Sequence, residues 1–157
     1  EYFRNSNPTL INTDASFYYA MSKLKAEHDD AVASVVSFLN QNPNSVKSSL
    51  ANMALGDFYY RKEKYSTSLS YYHSVDFGGV SLDMRDQFQF RKGFCCVFTK
   101  KFKEAKQELE PVSKHGGEYQ TLSKYYYGYA CLMEKDYENA LLAFQSIKDK
   151  KFEKVTE

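Results

Sequence analysis

The sequence has little of several residue types: no tryptophan, three prolines, three cysteines and seven glycines among 157 residues. So few glycines and prolines exclude collagen-like and low-complexity chains and argue against a loop-rich all-β fold. The cysteines, Cys95, Cys96 and Cys131, are odd in number and lack a C-x-x-C spacing. This excludes a disulfide framework and a cysteine-rich zinc site, so we expect three small, buried core residues.

The sequence also lacks a charge of one sign and a long apolar run. Lys and Arg number 21 against 20 Asp and Glu, so the net charge is +1. Such a chain has no field that would concentrate nucleic acid or an anionic membrane. No apolar run approaches the roughly 18 residues that a spanning helix needs. We therefore expect no nucleic-acid partner and no direct membrane insertion by this segment. What is in excess is Tyr, with 14 residues, and Phe, with 12.

Three segments repeat one pattern, with glycines at intervals of 37 and 35 residues. An aromatic residue follows each glycine by nine positions, a small residue stands three further on, and a bulky apolar residue four beyond that. Apolar residues recur at helical spacing within each copy, which predicts two amphipathic helices per copy, the last of them over 137–148. In chain order the patterned residues are Gly56, Tyr65, Ser68 and Tyr72; Gly93, Phe102, Ala105 and Leu109; Gly128, Tyr137, Ala140 and Phe144.

These residues are expected to pack the two helices of a copy together. The glycine and the small residue let the backbones approach, and the aromatic fills the corner before the second helix. Glycine inside a helix is about 1 kcal/mol less favourable than alanine, so its recurrence indicates a packing role. A degenerate fourth copy is predicted upstream, because Ala31 stands 37 residues before Ser68. Its first helix covers about residues 13–25, with Tyr19 in the place of the glycine.

The pattern resembles the tetratricopeptide repeat (TPR) family over about residues 13 to 148. It departs from that family in lacking the early Trp, in Ser68 at a small-residue position, and in Lys92 where a bulky apolar residue normally precedes the glycine. The resemblance implies an all-α solenoid of helical hairpins, a right-handed superhelix of about 3.5–4 repeats. The expected organisation is an N-terminal extension (1–12), a degenerate repeat (13–43), and repeats at 44–79, 81–116 and 118–148.

Residues 149–157 are too few for a capping helix pair, which repeat arrays need at their ends. We expect this tail to lead into a further repeat of a longer protein, or the uncapped end to self-associate. More narrowly, residues 42–45 followed by 55–61 and Tyr65 are similar to the N-terminal repeats of long bacterial cell-envelope TPR proteins. That similarity favours the periplasm or cell envelope as the compartment, with the cytoplasm as the alternative.

No catalytic or ligand chemistry is predicted. His28, His73 and His115 lie far apart without metal-ligand spacing. The pairs Gly78-Gly79 and Gly116-Gly117 lack the residues that complete a phosphate loop. Carboxylates over 104–110 alternate with lysines, as on a solvated helix face. The chain is expected not to be an enzyme and to need no metal and no cofactor.

Function is instead predicted on the first helices of the repeats, which line the concave face in TPR proteins. Steps of four residues along these helices give an aromatic and apolar groove with a single arginine. A clamp for the carboxylates of a chaperone C-terminus is therefore not expected. Such a groove suits an apolar helix or extended segment of a partner protein. The residues expected to line this partner-binding groove are Asp57, Tyr60, Arg61, Phe90, Phe94, Tyr125 and Tyr129.

Three functional classes compete on this evidence. The leading one is a non-catalytic protein–protein interaction scaffold that is part of a larger bacterial envelope protein. The second is a TPR sensor or regulatory module coupled to a signalling or DNA-binding domain outside this chain. The third is an enzyme accessory or a carbohydrate-handling lipoprotein, since aromatic grooves also stack sugars, although no polar cluster accompanies the rings. Against all three stands the alternative that the aromatics only pack between neighbouring helices, or contact the next repeats of a longer chain.

Overall fold

The computed structural model describes residues 8–76, 82–115 and 117–148. These ranges form eight α-helices and contain no β-strand, which confirms the all-α prediction. The predicted tail, the pair Gly78-Gly79, Gly116 and the first seven residues of the N-terminal extension lie outside the described residues. The helices are α1 (Pro8–Lys25), α2 (Ala31–Gln41), α3 (Val46–Arg61), α4 (Tyr65–Tyr72), α5 (Leu82–Phe98), α6 (Phe102–Lys114), α7 (Gln120–Met133) and α8 (Tyr137–Lys148).

The helices belong to two compact units, Glu1–Val80 and Ser81–Glu157. Each unit holds two helical hairpins: α1–α2 and α3–α4 in the first, α5–α6 and α7–α8 in the second. Within a unit, the second helix of one hairpin also packs against the first helix of the next, α2 on α3 and α6 on α7. The helix α1 begins at Pro8, so it includes residues 8–12 of the predicted N-terminal extension. Proline suits the start of a helix, where its missing N–H would have no partner.

All four first helices end in the same backbone motif. The second residue after each of these helices adopts a left-handed conformation. These residues are Glu27, Glu63, Lys100 and Lys135, with φ between 51° and 63°. The N–H of the next residue then donates to the carbonyl five residues back, at 2.8–3.2 Å. This closes the helix by satisfying a carbonyl that would otherwise lack a partner. Glycine is the usual residue here, so these glutamates and lysines are held in a conformation that their Cβ atoms disfavour.

Replacing Lys135 by glycine is therefore expected to stabilise the protein. Removing the Cβ relieves the left-handed strain, and part of that gain is offset because glycine is more flexible when unfolded, which leaves about 0.5–1 kcal/mol. Lys135→Ala is the matched control, since it removes the same charge but keeps the Cβ. Urea denaturation of both variants measures the difference. Equal stability of the two variants would show that the turn carries no such strain.

The turn residues also correct the alignment of the first hairpin. Each of the three repeat glycines, Gly56, Gly93 and Gly128, stands seven residues before the left-handed residue of its hairpin. The residue seven before Glu27 is Ala20, which is 1% exposed, whereas Tyr19 is 62% exposed. The prediction that Tyr19 takes the glycine's place was wrong. The buried small residues of this hairpin, Ala20 and Ala31, are 11 positions apart, whereas the corresponding residues of the other hairpins are 12 positions apart.

In the first unit, Gly56 lies directly against the ring of Tyr72. A Cβ at Gly56 would overlap that ring. The hydroxyl of Ser68 donates to the carbonyl of Gly56 at 2.8 Å, and the hydroxyl of Tyr72 donates to the carboxylate of Asp57 at 2.6 Å. Ser68 and Tyr72 are both fully buried. Close approach of α3 and α4 thus places a serine in a position where it also satisfies a backbone carbonyl.

The second unit repeats this arrangement with other side chains. A Cβ at Gly93 would lie 2.5 Å from Cγ of Leu109, and one at Gly128 would lie 3.0 Å from Cβ of Ala143 and 3.1 Å from the ring of Phe144. Both glycines are buried. The small residues that follow them, Ala105 and Ala140, are buried as well.

The Lys92 that departs from the TPR pattern has a partner on the facing helix. Its ammonium lies 2.7 Å from the carboxylate of Glu108, and the two side chains are 14% and 16% exposed. A long charged residue is therefore tolerated beside Gly93, because α6 supplies the opposite charge.

The cysteine prediction is confirmed, since Cys95, Cys96 and Cys131 are buried and form no disulfide. Burial raises the pKa of the Cys96 thiol and that of the Cys131 thiol. They remain protonated thiols and pack as small apolar residues.

Candidate functional site

Two of the predicted groove residues, Phe90 and Phe94, lie mainly between helices. Phe90 is 5% exposed and its ring stacks on that of Tyr119 with centroids 5.1 Å apart. The ring of Phe94 lies 4.4 Å from that of Phe98 and 4.9 Å from that of Tyr126. Phe90 therefore packs α5 against α7 and is almost closed to solvent, while Phe94 packs against the rings of Phe98 and Tyr126.

A cleft of about 510 Å³ opens between α5 and α7, on the side where both helices end. The rings of Phe98 and Tyr129 are 53% and 37% exposed there, and Met133 is 47% exposed. Phe102, the first residue of α6, closes one side, with its ring 6.2 Å from that of Tyr129. We call this the aromatic cleft; its described lining residues are Val97, Phe98, Lys100, Phe102, Tyr125, Tyr126, Tyr129 and Met133.

The chemistry of the aromatic cleft is apolar with few polar groups. Five of the eight described lining residues are aromatic, and none is acidic. Aromatic rings offer large surfaces that a partner can cover, with preferred edge-to-face or offset packing. Among these eight residues the one charged group is the ammonium of Lys100, in the left-handed turn after α5. The cleft can hold an apolar side chain against rings and place one anionic or carbonyl group beside a lysine.

The remaining predicted groove residues belong to the first unit. Asp57 and Arg61 line a cleft of about 340 Å³ between α1 and α3. Asp57 accepts the hydrogen bond from Tyr72 described above, and Arg61 is exposed. Tyr60 does not line this cleft; its ring is half-buried, 6.1 Å from that of Tyr65 at the corner. We call the cleft between α1 and α3 the charged cleft. Its described lining residues are Phe17, Tyr18, Met21, Leu24, Lys25, Ala54, Asp57 and Arg61.

The two clefts occupy equivalent positions in the two units. Counted from the repeat glycines, Asp57 corresponds to Tyr129, and Arg61 corresponds to Met133. Counted from Ala20 and Gly93, Lys25 corresponds to Phe98. The same backbone site thus carries charged residues in one unit and aromatic residues in the other.

Several lining residues were missed by the sequence prediction. Tyr126 was overlooked because stepping by four from Tyr125 passes over it. Lys100 and Lys25 were overlooked because one belongs to a turn and the other to the degenerate copy. Counting from the repeat glycine would have found Tyr126, but Lys25 is reached only once the first hairpin is aligned on Ala20, and the placement of Lys100 depends on the left-handed turn.

The described part of the chain contains no group of three or more His, Cys, Asp or Glu residues arranged to hold a metal ion. None of its helices combines the length and the apolar character that crossing a membrane requires. Neither known protein families nor curated proteins give a match to this chain. Inference about its function therefore depends on the geometry of the two clefts.

Proposed function

We propose that this chain is a non-catalytic interaction module of TPR type, which binds an apolar helix or extended segment of a partner protein in the aromatic cleft. By its resemblance to envelope TPR proteins, we place it in a larger bacterial cell-envelope protein. The repeats would form the right-handed superhelix of that family.

The TPR-type assignment is supported by the register that the hairpins share. Each has a small residue on its first helix, a left-handed residue seven positions later, and a buried small residue on its second helix. The close contacts of the three repeat glycines with the same position of the second helix fit one repeating unit. A shared register of this kind is typical of repeat proteins, in which each unit buries its apolar face against the next.

The single observation that carries the binding role is the exposure of Phe98, Tyr129 and Met133 around one open cleft. Isolated exposed apolar residues are normal on a protein surface, but a concave cluster rich in rings is typical of an interaction site. Covering one such ring stabilises a complex by roughly 2–3 kcal/mol. Two rings and a methionine therefore suffice for a specific anchor site.

Peptide selection tests the proposal. A displayed library of peptides is selected on the wild-type chain, and the affinity of the selected peptides is then measured for Phe98→Ala/Tyr129→Ala. Both side chains are exposed, so the double variant should keep its helical content. We expect its dissociation constants to rise by at least about tenfold, because it loses both anchor rings.

The matched control is Leu122→Ala/Leu142→Ala. These leucines are 44% and 64% exposed and line neither cleft. The control should bind the selected peptides as tightly as the wild type. Undiminished binding by the Phe98/Tyr129 variant, or failure to select any apolar peptide, would contradict the proposal.

A further inference from the structure

Lys100 is the one charged residue among the described residues that line the aromatic cleft. It is the left-handed residue of the turn between α5 and α6, with φ of 59°. Two hydrogen bonds close that turn. The N–H of Lys100 donates to the carbonyl of Val97 at 3.0 Å, and the N–H of Lys101 donates to the carbonyl of Cys96 at 2.8 Å. The backbone that carries the Lys100 ammonium is therefore fixed beside the rings, while the side chain is exposed.

The same turn position carries the opposite charge in the first unit, and there it is paired. Glu27 is the left-handed residue after α1, and its carboxylate lies 3.2 Å from the ammonium of Lys62 in the next hairpin. Lys62 directly precedes the left-handed residue of its own turn, and Glu134 has that place in the last hairpin. The two units thus contain the same pair of positions with the charges exchanged.

The exchanged pair, Lys100 with Glu134, does not form in the second unit. Among the described residues, the ammonium of Lys100 has no carboxylate within ion-pair distance. The charge of Glu134 acts on Lys106 instead. A hydrogen bond with Asp136 is the main cause that raises the pKa of Lys106, and Glu134 adds to that effect. Lys100 therefore keeps its charge available at the edge of the aromatic cleft.

Exposed lysines on both sides of Phe102 in the chain increase the positive charge of this edge. Lys101 and Lys103 are exposed and have no ion pair within the part of the chain that the structure describes. The next carboxylate along the chain, that of Glu104, is half-buried and does not line the cleft. Aromatic rings alone would also attract a cation to their faces. Three lysines within residues 100–103 repel a cation, so this edge favours an anionic group.

We propose that the aromatic cleft selects apolar segments that carry an acidic side chain beside the anchor residue, and that Lys100 determines this preference. The inference rests on the proposed function, because it names the chemistry of the segment that the same cleft binds. An apolar side chain lies against Phe98 and Tyr129, and the neighbouring carboxylate pairs with the Lys100 ammonium. A segment with a lysine at that place is rejected, since it would bring another cation to the same edge.

A second round of peptide selection tests this inference. The tightest-binding peptide selected on the wild-type chain keeps its apolar residues, and every other position is varied among Ala, Gln, Glu and Lys. On the wild type we expect Glu to be enriched over Lys at a position beside an apolar residue. Replacing that glutamate of the peptide by glutamine should raise the dissociation constant about two- to fivefold at low ionic strength, as for an exposed ion pair. The difference should shrink in concentrated salt.

Reversing the charge of Lys100 gives the sharpest result. The same selection on Lys100→Glu should enrich Lys at the position where the wild type enriches Glu. The turn tolerates glutamate, because Glu27 and Glu63 have the same left-handed conformation in the first two hairpins. Lys100→Gln, which only removes the charge, should bind the apolar peptides without either preference. Circular dichroism checks that both variants are folded.

The matched control is Lys135→Glu. Lys135 is an exposed lysine in the same left-handed turn position, but it is not among the described lining residues of either cleft. The selection on this variant should keep the preference of the wild type for Glu. A reversal in Lys135→Glu as well would overturn the inference, because the net charge of the chain would then set the preference.

The remaining outcomes separate this inference from the proposed function. Apolar peptides that bind the wild type with no preference for Glu, or with a preference that Lys100→Glu leaves unchanged, would overturn the role of Lys100 and leave the proposed function standing. A wild-type chain that selects no apolar peptide would contradict the proposed function, and this inference with it.

Discussion

Replacing Gly93 by alanine is expected to lower the free energy of unfolding by about 2–3 kcal/mol. In an ordinary helix interior the same change would raise it by about 1 kcal/mol, because alanine is the better helix former. The sign reverses here because the new Cβ would lie 2.5 Å from Cγ of Leu109 and 2.7 Å from its Cδ2. Leu109 is fully buried, so its side chain can move away only by displacing neighbouring core residues. Urea denaturation measures the change.

The leucine provides the internal control for this prediction. Shortening Leu109 to alanine alone leaves a cavity and should destabilise the protein by about 2–4 kcal/mol. In Gly93→Ala/Leu109→Ala the added methyl occupies part of that cavity, so the double variant should be more stable than the two single effects predict. Gly128→Ala should cost less than Gly93→Ala, because its nearest contact would be 3.0 Å. A stabilising Gly93→Ala, or additive effects, would show that the glycine has no packing role.

Replacing Lys92 by methionine is expected to destabilise the protein by about 2–3 kcal/mol, because the largely buried carboxylate of Glu108 then loses its partner. This loss of stability is smaller than for a fully buried pair, because the side chains of Lys92 and Glu108 are still 14% and 16% exposed. The double variant Lys92→Met/Glu108→Leu should recover most of the loss, as two apolar residues of similar size fill the same space. Chemical denaturation of the single and double variants measures the coupling free energy between Lys92 and Glu108.

An exposed ion pair within α6, between Lys114 and Glu110, is the comparison for this experiment. Lys114 and Glu110 are also 2.7 Å apart, but their side chains are 69% and 45% exposed. Lys114→Met should change stability by less than about 0.5 kcal/mol, because water screens such a pair. Equal effects of Lys92→Met and Lys114→Met would contradict the role assigned to burial.

The regular hairpins could be predicted from sequence because their packing residues recur at fixed spacing. The second helix predicted over 137–148 is α8, Tyr137–Lys148. The first hairpin defeated the same method, because its buried small residues Ala20 and Ala31 are 11 positions apart instead of the 12 found in the other three hairpins. An alignment that assumes a constant spacing has no means of detecting this difference.

The candidate site was predicted less well than the hairpins. Steps of four residues identify one side of a helix, but they do not show which turn of that helix a neighbour covers. Phe90 and Phe98 lie two turns apart on α5, yet the first is 5% exposed and the second 53%. The difference comes from the packing of Tyr119 and Tyr126 on Phe90, which no local pattern in α5 encodes.

The four methionines allow the most direct test of the central claim, that the aromatic cleft is the binding site. Met133 lines the aromatic cleft, Met21 lines the charged cleft, Met53 is buried and Met84 is exposed away from both. Carbon-13 methyl spectra are recorded while a peptide selected on the wild type is titrated in. We predict a saturable shift of the Met133 methyl that is absent in Phe98→Ala/Tyr129→Ala, with Met53 and Met84 unchanged. Saturable binding that leaves Met133 unshifted would contradict the account.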